Sequence, residues 1–152
     1  MATMSEDHIF VYGTLRRGGV REMSRLLPRC RDLGPATLRG VLHDFGAYPG
    51  LRLDEDGVVH GEIYTVDAEA LALLDDIERF LPDDYEASYY FRHRVVAQLA
   101  DGASIECWVY EFNPKYYGQR APITSGDWIA YAAQKGALPE ESWPDGKKIR
   151  NS

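Results

Sequence analysis

Ile9-Phe10-Val11-Tyr12-Gly13-Thr14-Leu15-Arg16 carries a run of apolar and aromatic residues into a glycine, then a hydroxyl residue and a basic segment. That order predicts a short buried strand over residues 9–12 that ends in a turn at Gly13. Consecutive backbone N–H groups at such a turn can hold a carboxylate or an oxyanion. The same residues also fit an ordinary strand-to-loop turn with Gly13 at positive φ. No G-x-x-x-x-G-K-[ST] pattern is present, so this is not a nucleotide loop of that kind.

The chain around this stretch alternates short strands with few helices. Residues 1–7 read as a loose leader, and Arg16-Arg17-Gly18-Gly19 as a mobile basic loop. Val20, Met23, Leu26 and Leu27 lie at helical spacing before Pro28. Residues 33–45 read as strand, and Gly46-Ala47-Tyr48-Pro49-Gly50 as a turn cluster. Residues 51–53 and 58–66 flank Asp54-Glu55-Asp56-Gly57, which predicts a hairpin. Residues 67–80 form the clearest helix, with Asp67 as its cap and Glu69 in the first turn. Residues 88–99 alternate well, and Asp101-Gly102 joins them to residues 105–112 in a second hairpin. Residues 113–122 read as an irregular loop. Ser125 or Asp127 can cap a last helix that runs to Lys135. One domain over residues 8–137, followed by an extended tail over 138–152, accounts for the pattern. The predicted class is α+β, with mainly antiparallel strands and short connections that can close into a small barrel.

Composition excludes several function classes. Among 152 residues, 45% are hydrophobic and 27% charged, as in a globular protein, and the net charge is -7. That net negative charge argues against nucleic acid or an anionic membrane as a main partner, since both want clustered Lys and Arg. No apolar run reaches membrane-spanning length, and the first residues hold no signal-peptide core, so a cytoplasmic location is expected. Cys30 and Cys107, the only cysteines, read as two buried reduced thiols. His8, His43, His60 and His93 are scattered, so neither a metal site nor a histidine-based nucleophile system is expected.

Three features can carry chemistry. Leu71, Leu74 and Ile77 form an apolar stripe, and Glu78 falls on it at four residues from Leu74 and seven from Leu71. An acid there is desolvated, which suits it to proton transfer, unless it sits at the stripe's edge or pairs with Arg92 or Arg94. Asp75 and Asp76 lie to the side of that stripe. The Tyr12-Gly13-Thr14-Leu15 turn is the second feature. The third is an aromatic set, Tyr12, Tyr48, Tyr110, Tyr116, Tyr117 and Trp128, which can line a cleft or fill a core.

Taken in order, these segments resemble the γ-glutamylcyclotransferase-like, or AIG2-like, family. Residues 10–16 resemble its Y-G-[ST]-L turn, and residues 46–50 its Y-P-G loop. Val59-His60-Gly61-Glu62-Ile63-Tyr64 resembles its V-x-G-E-[VI]-[YF] strand, and Leu74-Asp75-Asp76-Ile77-Glu78 its L-D-x-[YFI]-E helix end. Tyr90-Phe91-Arg92 with Val95, Trp108-Val109-Tyr110 and Ser125-Gly126-Asp127-Trp128 resemble later strands and a helix entry. The chain departs from the pattern after Glu78, where Arg79 and Phe80 replace the usual glycine, and in the acidic loop over 81–87.

The resemblance implies a mixed barrel with flanking helices and a cavity at one end. It also implies a cofactor-independent enzyme without a metal, acting on a small γ-glutamyl compound. The α-amine of that compound attacks its own γ-carbonyl and releases 5-oxoproline and a free amine. Glu78 would be the general acid/base. Tyr12, Gly13, Thr14, Leu15, Tyr48, Tyr110 and Arg92 would bind the substrate. A non-catalytic γ-glutamyl-binding module on the same scaffold, or an amidase releasing glutamate, would share these features. The leaving amine and the oligomeric state leave no mark in the sequence.

Overall fold

The computed structural model describes residues 7–19, 22–116 and 120–135. Five strands close a barrel in the order β1 (Asp7–Val11), β5 (Val58–Val66), β2 (Asp32–Arg39), β6 (Tyr90–Leu99) and β7 (Ser104–Phe112). Every neighbouring pair is antiparallel except β1 and β7, which run parallel at Ile9 and Trp108. The barrel is therefore mixed and mostly antiparallel, as expected.

Two apolar clusters explain the strand sequences. Phe10, Ala36, Leu38, Val59, Ile63, Ala97, Cys107 and Val109 come from all five barrel strands and fill the barrel. Alternate residues of the same strands, among them Ile9, Val11, Tyr64, Val66, Tyr110 and Phe112, pack with helix α2 (Ala68–Ile77) through Ala70, Leu74 and Ile77. Strand β1 is buried on both faces, which is why residues 9–11 are continuously apolar rather than alternating. Asp67 caps α2 as expected, accepting a hydrogen bond from the Ala70 amide at 2.8 Å. The β6–β7 hairpin also follows its sequence signal, with Tyr90 opposite Phe112 and Gln98 opposite Ser104.

Residues 33–45 form two strands rather than one. Gly40, at φ 154°, ends β2, and β3 (Val41–Asp44) leaves for a separate three-stranded sheet. A side chain at Gly40 would meet the Arg52 carbonyl oxygen at 2.9 Å. The hairpin expected across Asp54-Glu55-Asp56-Gly57 does not form. Strand β4 (Pro49–Arg52) turns back onto β3, with Asp44 opposite Pro49 and Val41 opposite Arg52, while β5 pairs with β1 and β2. The hairpin turn is the Phe45–Tyr48 segment, where Gly46 takes φ 97° and donates its amide to Asp44. The local Asp-Gly signal loses to burial: β5 is the barrel strand between β1 and β2. Strand β8 (Pro122–Ile123) adds to β3 and begins at the last residue of the segment expected to be loop.

Helix α1 is short, Met23–Leu26; Val20 and Arg21 lie outside the described residues. Helix α3 (Trp128–Lys135) starts after Asp127, whose side chain accepts from the Ala130 amide at 3.2 Å. Tyr117 and the tail over 138–152 lie outside the described residues, as does the leader except Asp7, which opens β1. Cys30 and Cys107 are both buried, and neither is in a disulfide. Among the described residues, no helix is long and apolar enough to cross a membrane.

Candidate active site

The turn after β1 is pinned from three sides. The Arg16 amide donates to the Gly13 carbonyl at 3.0 Å, closing a turn over residues 13–16. Glu62 of β5, 4% exposed, accepts from Arg16 Nε at 2.6 Å and from the Arg17 amide at 2.9 Å, one bond to each carboxylate oxygen. Arg16 Nη1 also reaches Asp127 at 2.8 Å. The residues expected to form a mobile basic loop thus tie the turn to β5 and to the start of α3. Gly13 does not take positive φ. Its reason is contact: a Cβ there would lie 2.7 and 2.9 Å from the Pro49 ring.

Opposite this turn stands the C-terminal end of α2. Glu78 is its C-cap residue and is 7% exposed. The chain leaves the helix through a C-terminal motif in which the Arg79 amide bonds to the Asp76 carbonyl and the Phe80 amide to the Asp75 carbonyl. Arg79 sits at φ 57° in this motif, the position that glycine fills most easily. Phe80 then folds into the apolar cluster under α2. The guanidinium of Arg79 lies 5.2 Å from the centre of the Tyr89 ring.

Between turn and helix end lies a cleft of about 370 Å³, counted out to its open mouth. Its walls include Tyr12, Gly13, Thr14, Leu15, Tyr48, Glu78 and Tyr110. The structure therefore brings seven of the eight expected site residues together. Phe10, Val11, Pro49 and Tyr90 complete the lining. Trp128 and Tyr116, also in the aromatic set, lie elsewhere: Trp128 in the barrel-side core, Tyr116 against Tyr89.

Arg92 is the exception. It does not line the cleft, and its guanidinium makes a two-pronged pair with Asp75 at 2.8 and 3.1 Å. It stacks 4.2 Å from the centre of the Trp108 ring. A cation held this way between a carboxylate and an aromatic face is not placed to take a substrate carboxylate. Arg94 likewise bonds to Asp7 and Glu106. Helical periodicity alone puts Asp75 beside the apolar stripe rather than on it. It lies three residues before Glu78, on the next helical position of the same side, and it accepts from the Tyr110 hydroxyl at 2.7 Å.

The two expected tyrosines differ. The Tyr12 hydroxyl points into the protein, donating to the Tyr110 carbonyl at 2.6 Å and meeting the Leu51 backbone amide. Burial first, then the nearby Glu78 charge, pushes the Tyr12 phenol well above its ordinary 10. Burial, the Asp75 carboxylate and Glu78 do the same to Tyr110. Both phenols stay protonated at neutral pH, so neither is a base there. The cleft thus has a buried carboxylate on one wall and the Tyr12–Leu15 turn on the other.

Residues 9–130 match the family model described as "Gamma-glutamyl cyclotransferase, AIG2-like". The gamma-glutamylcyclotransferase family protein YtfP of Escherichia coli K12 is 32% identical, over 80% of this chain and 95% of its own. The gamma-glutamylaminecyclotransferase of Rattus norvegicus is 33% identical, over 68% of this chain and 76% of its own. Among solved structures, an AIG2-like protein from Mus musculus superposes with a TM-score of 0.65 at 27% identity, covering 91% of this chain and 99% of that one. The chain belongs to the γ-glutamyl cyclotransferase, AIG2-like family.

Proposed function

We propose that this protein cleaves a γ-glutamyl amide by intramolecular cyclisation, with Glu78 as general acid/base. The observation that carries this reading is the buried Glu78 carboxylate sharing one cleft with the Tyr12–Leu15 turn. The substrate's α-amine arrives as an ammonium and cannot attack until it loses a proton. Glu78 takes that proton. The amine nitrogen then bonds to the γ-carbonyl carbon, and the carbonyl oxygen gains negative charge. Backbone amides of Gly13, Thr14 and Leu15 are suited to receive that charge or the α-carboxylate. Collapse breaks the bond to the leaving nitrogen, to which Glu78 returns the first proton; the ring nitrogen then gives its second proton to Glu78, which passes it to the departing amine, so that the amine leaves as an ammonium. The products are 5-oxoproline and a free amine. Holding the γ-glutamyl group folded in a narrow cleft supplies much of the advantage of a ring-closing attack.

The rat relative's name makes γ-glutamyl amines the first substrates to try, with γ-glutamyl dipeptides beside them. The test is 5-oxoproline release by the wild type and by Glu78→Gln. Loss of about 10²–10⁴ in rate is expected of a general acid–base group. Turnover by Glu78→Gln equal to wild type removes Glu78 from the reaction. Ligand binding without any 5-oxoproline across the panel would make the protein a binding module, and glutamate as product would make it an amidase.

A further inference from the structure

Tyr110 lines the cleft together with Glu78, and its hydroxyl proton is already spoken for. It points at Asp75 Oδ1 across 2.7 Å, and Asp75 is held in place by both nitrogens of the Arg92 pair. A hydroxyl has one proton to donate, so Tyr110 has only lone pairs left for a ligand. A carboxylate is likewise acceptor-only. Glu78 also stands at the negative end of the α2 dipole, where a carboxylate gains from a cation beside it. On the reading above, the donors are the backbone amides of the turn on the opposite wall. On that reading the cleft is polarised across its width, with acceptors on the helix wall and donors on the turn wall.

We propose that Asp75 is a positioning residue. By fixing the direction of the Tyr110 O–H, it turns Tyr110 and Glu78 into a two-acceptor receptor for the ligand's α-ammonium. This rests on the γ-glutamyl reading above, and it assigns the ammonium to the helix wall and the ligand's anionic oxygens to the turn wall. Without Asp75, the Tyr110 hydroxyl is free to rotate its proton toward the cleft, where it repels an ammonium N–H. The Asp75–Arg92 pair therefore serves the site without touching the ligand.

The test reads binding without turnover. L-Methionine sulfone carries an unreactive sulfone where a γ-glutamyl group has its carbonyl; 4-(methylsulfonyl)butanoic acid is the same molecule without the amine. Calorimetry on the wild-type protein is expected to show the amine-bearing ligand binding at least about tenfold tighter, the scale of hydrogen bonds to a charged group. Tyr110→Phe, which leaves the Asp75–Arg92 pair intact, loses most of that preference. Asp75→Leu with Arg92→Met removes the pair without changing net charge or leaving a buried ion alone. It is expected to lose the preference too, and adding Tyr110→Phe to it changes nothing further. A merely structural role would leave the amine preference in place or make the effects additive. Either result overturns the proposal, as does a wild-type protein that binds both ligands equally or neither. Failure here alongside normal 5-oxoproline release would leave the Glu78 reaction standing. Success here without 5-oxoproline would leave a receptor and remove the reaction.

Discussion

The two walls of the cleft are built on opposite plans. The turn wall is the end of a strand, and its order comes from behind: Glu62 holds Arg16 and the Arg17 amide, and Pro49 packs against Gly13. The helix wall is side chains, and its order comes from the helix end: Glu78 caps α2, while Asp75 and Arg92 hold Tyr110. A backbone site tolerates no bulk and needs a buried partner from another strand. A side-chain site needs a helix that stops at the right residue. The two walls should therefore fail in different ways when their supports are removed.

Glu62→Ala tests the turn wall hardest. It leaves Arg16, 13% exposed at its side chain, with Asp127 as its remaining carboxylate, and it strips the Arg17 amide of its acceptor. Breaking a buried pair from one side costs about 3–5 kcal/mol, so denaturant unfolding should show a drop of that order. Glu62→Gln keeps an acceptor for the amide and should cost less. A Glu62→Ala protein as stable as wild type would mean that the turn does not depend on this carboxylate. Next in size is Gly13→Ala. The new methyl must displace the Pro49 ring, and such overpacking costs about 1–3 kcal/mol. The turn retreats with it, so kcat/KM for 5-oxoproline release should fall. Adding Pro49→Ala opens the space and should restore part of both losses. Failure of that rescue would locate the Gly13 constraint elsewhere.

The same contrast explains what the sequence made legible. Strand β1 announced itself because burial on both faces forces a continuous apolar run. Glu78 stood out because a carboxylate at four and seven residues from leucines breaks a stripe. Those are one-dimensional signals. Glu62 and Arg16 lie 46 residues apart, and nothing local says that a basic loop will find a buried carboxylate on β5. Arg92 shows the same limit: alternation puts it on a face of β6 but does not name Asp75 as its partner. Asp75 lies one helical turn from Glu78, yet its part depends on Tyr110, which arrives from β7. The missed hairpin is a case of two turn signals in competition. Gly46 and Asp56-Gly57 both permit reversal, and the long-range pairing of β5 decides which one is used.

The smallest expected effect concerns the helix wall, and it has the opposite sign. Arg79 occupies a left-handed position at φ 57°, which costs an L-residue with a Cβ roughly 1–2 kcal/mol that glycine does not pay. In return its guanidinium lies over Tyr89, a contact worth about 0.5–1 kcal/mol at a partly open site. Arg79→Gly loses the ring contact but removes the strain, for a net gain between about 0 and 1.5 kcal/mol by these magnitudes. Arg79→Ala loses the same contact and keeps the strain, so it should fall below wild type. The difference between the two variants cancels the arginine's side-chain interactions and isolates the backbone term. Thermal unfolding with Arg79→Gly above Arg79→Ala by roughly 1 kcal/mol would show that the helix ends under strain beside Glu78. Equal stability would mean that the chain relaxes at this corner, and that the position of Glu78 is set by packing of the Leu74–Ile77 stripe and Phe80 instead.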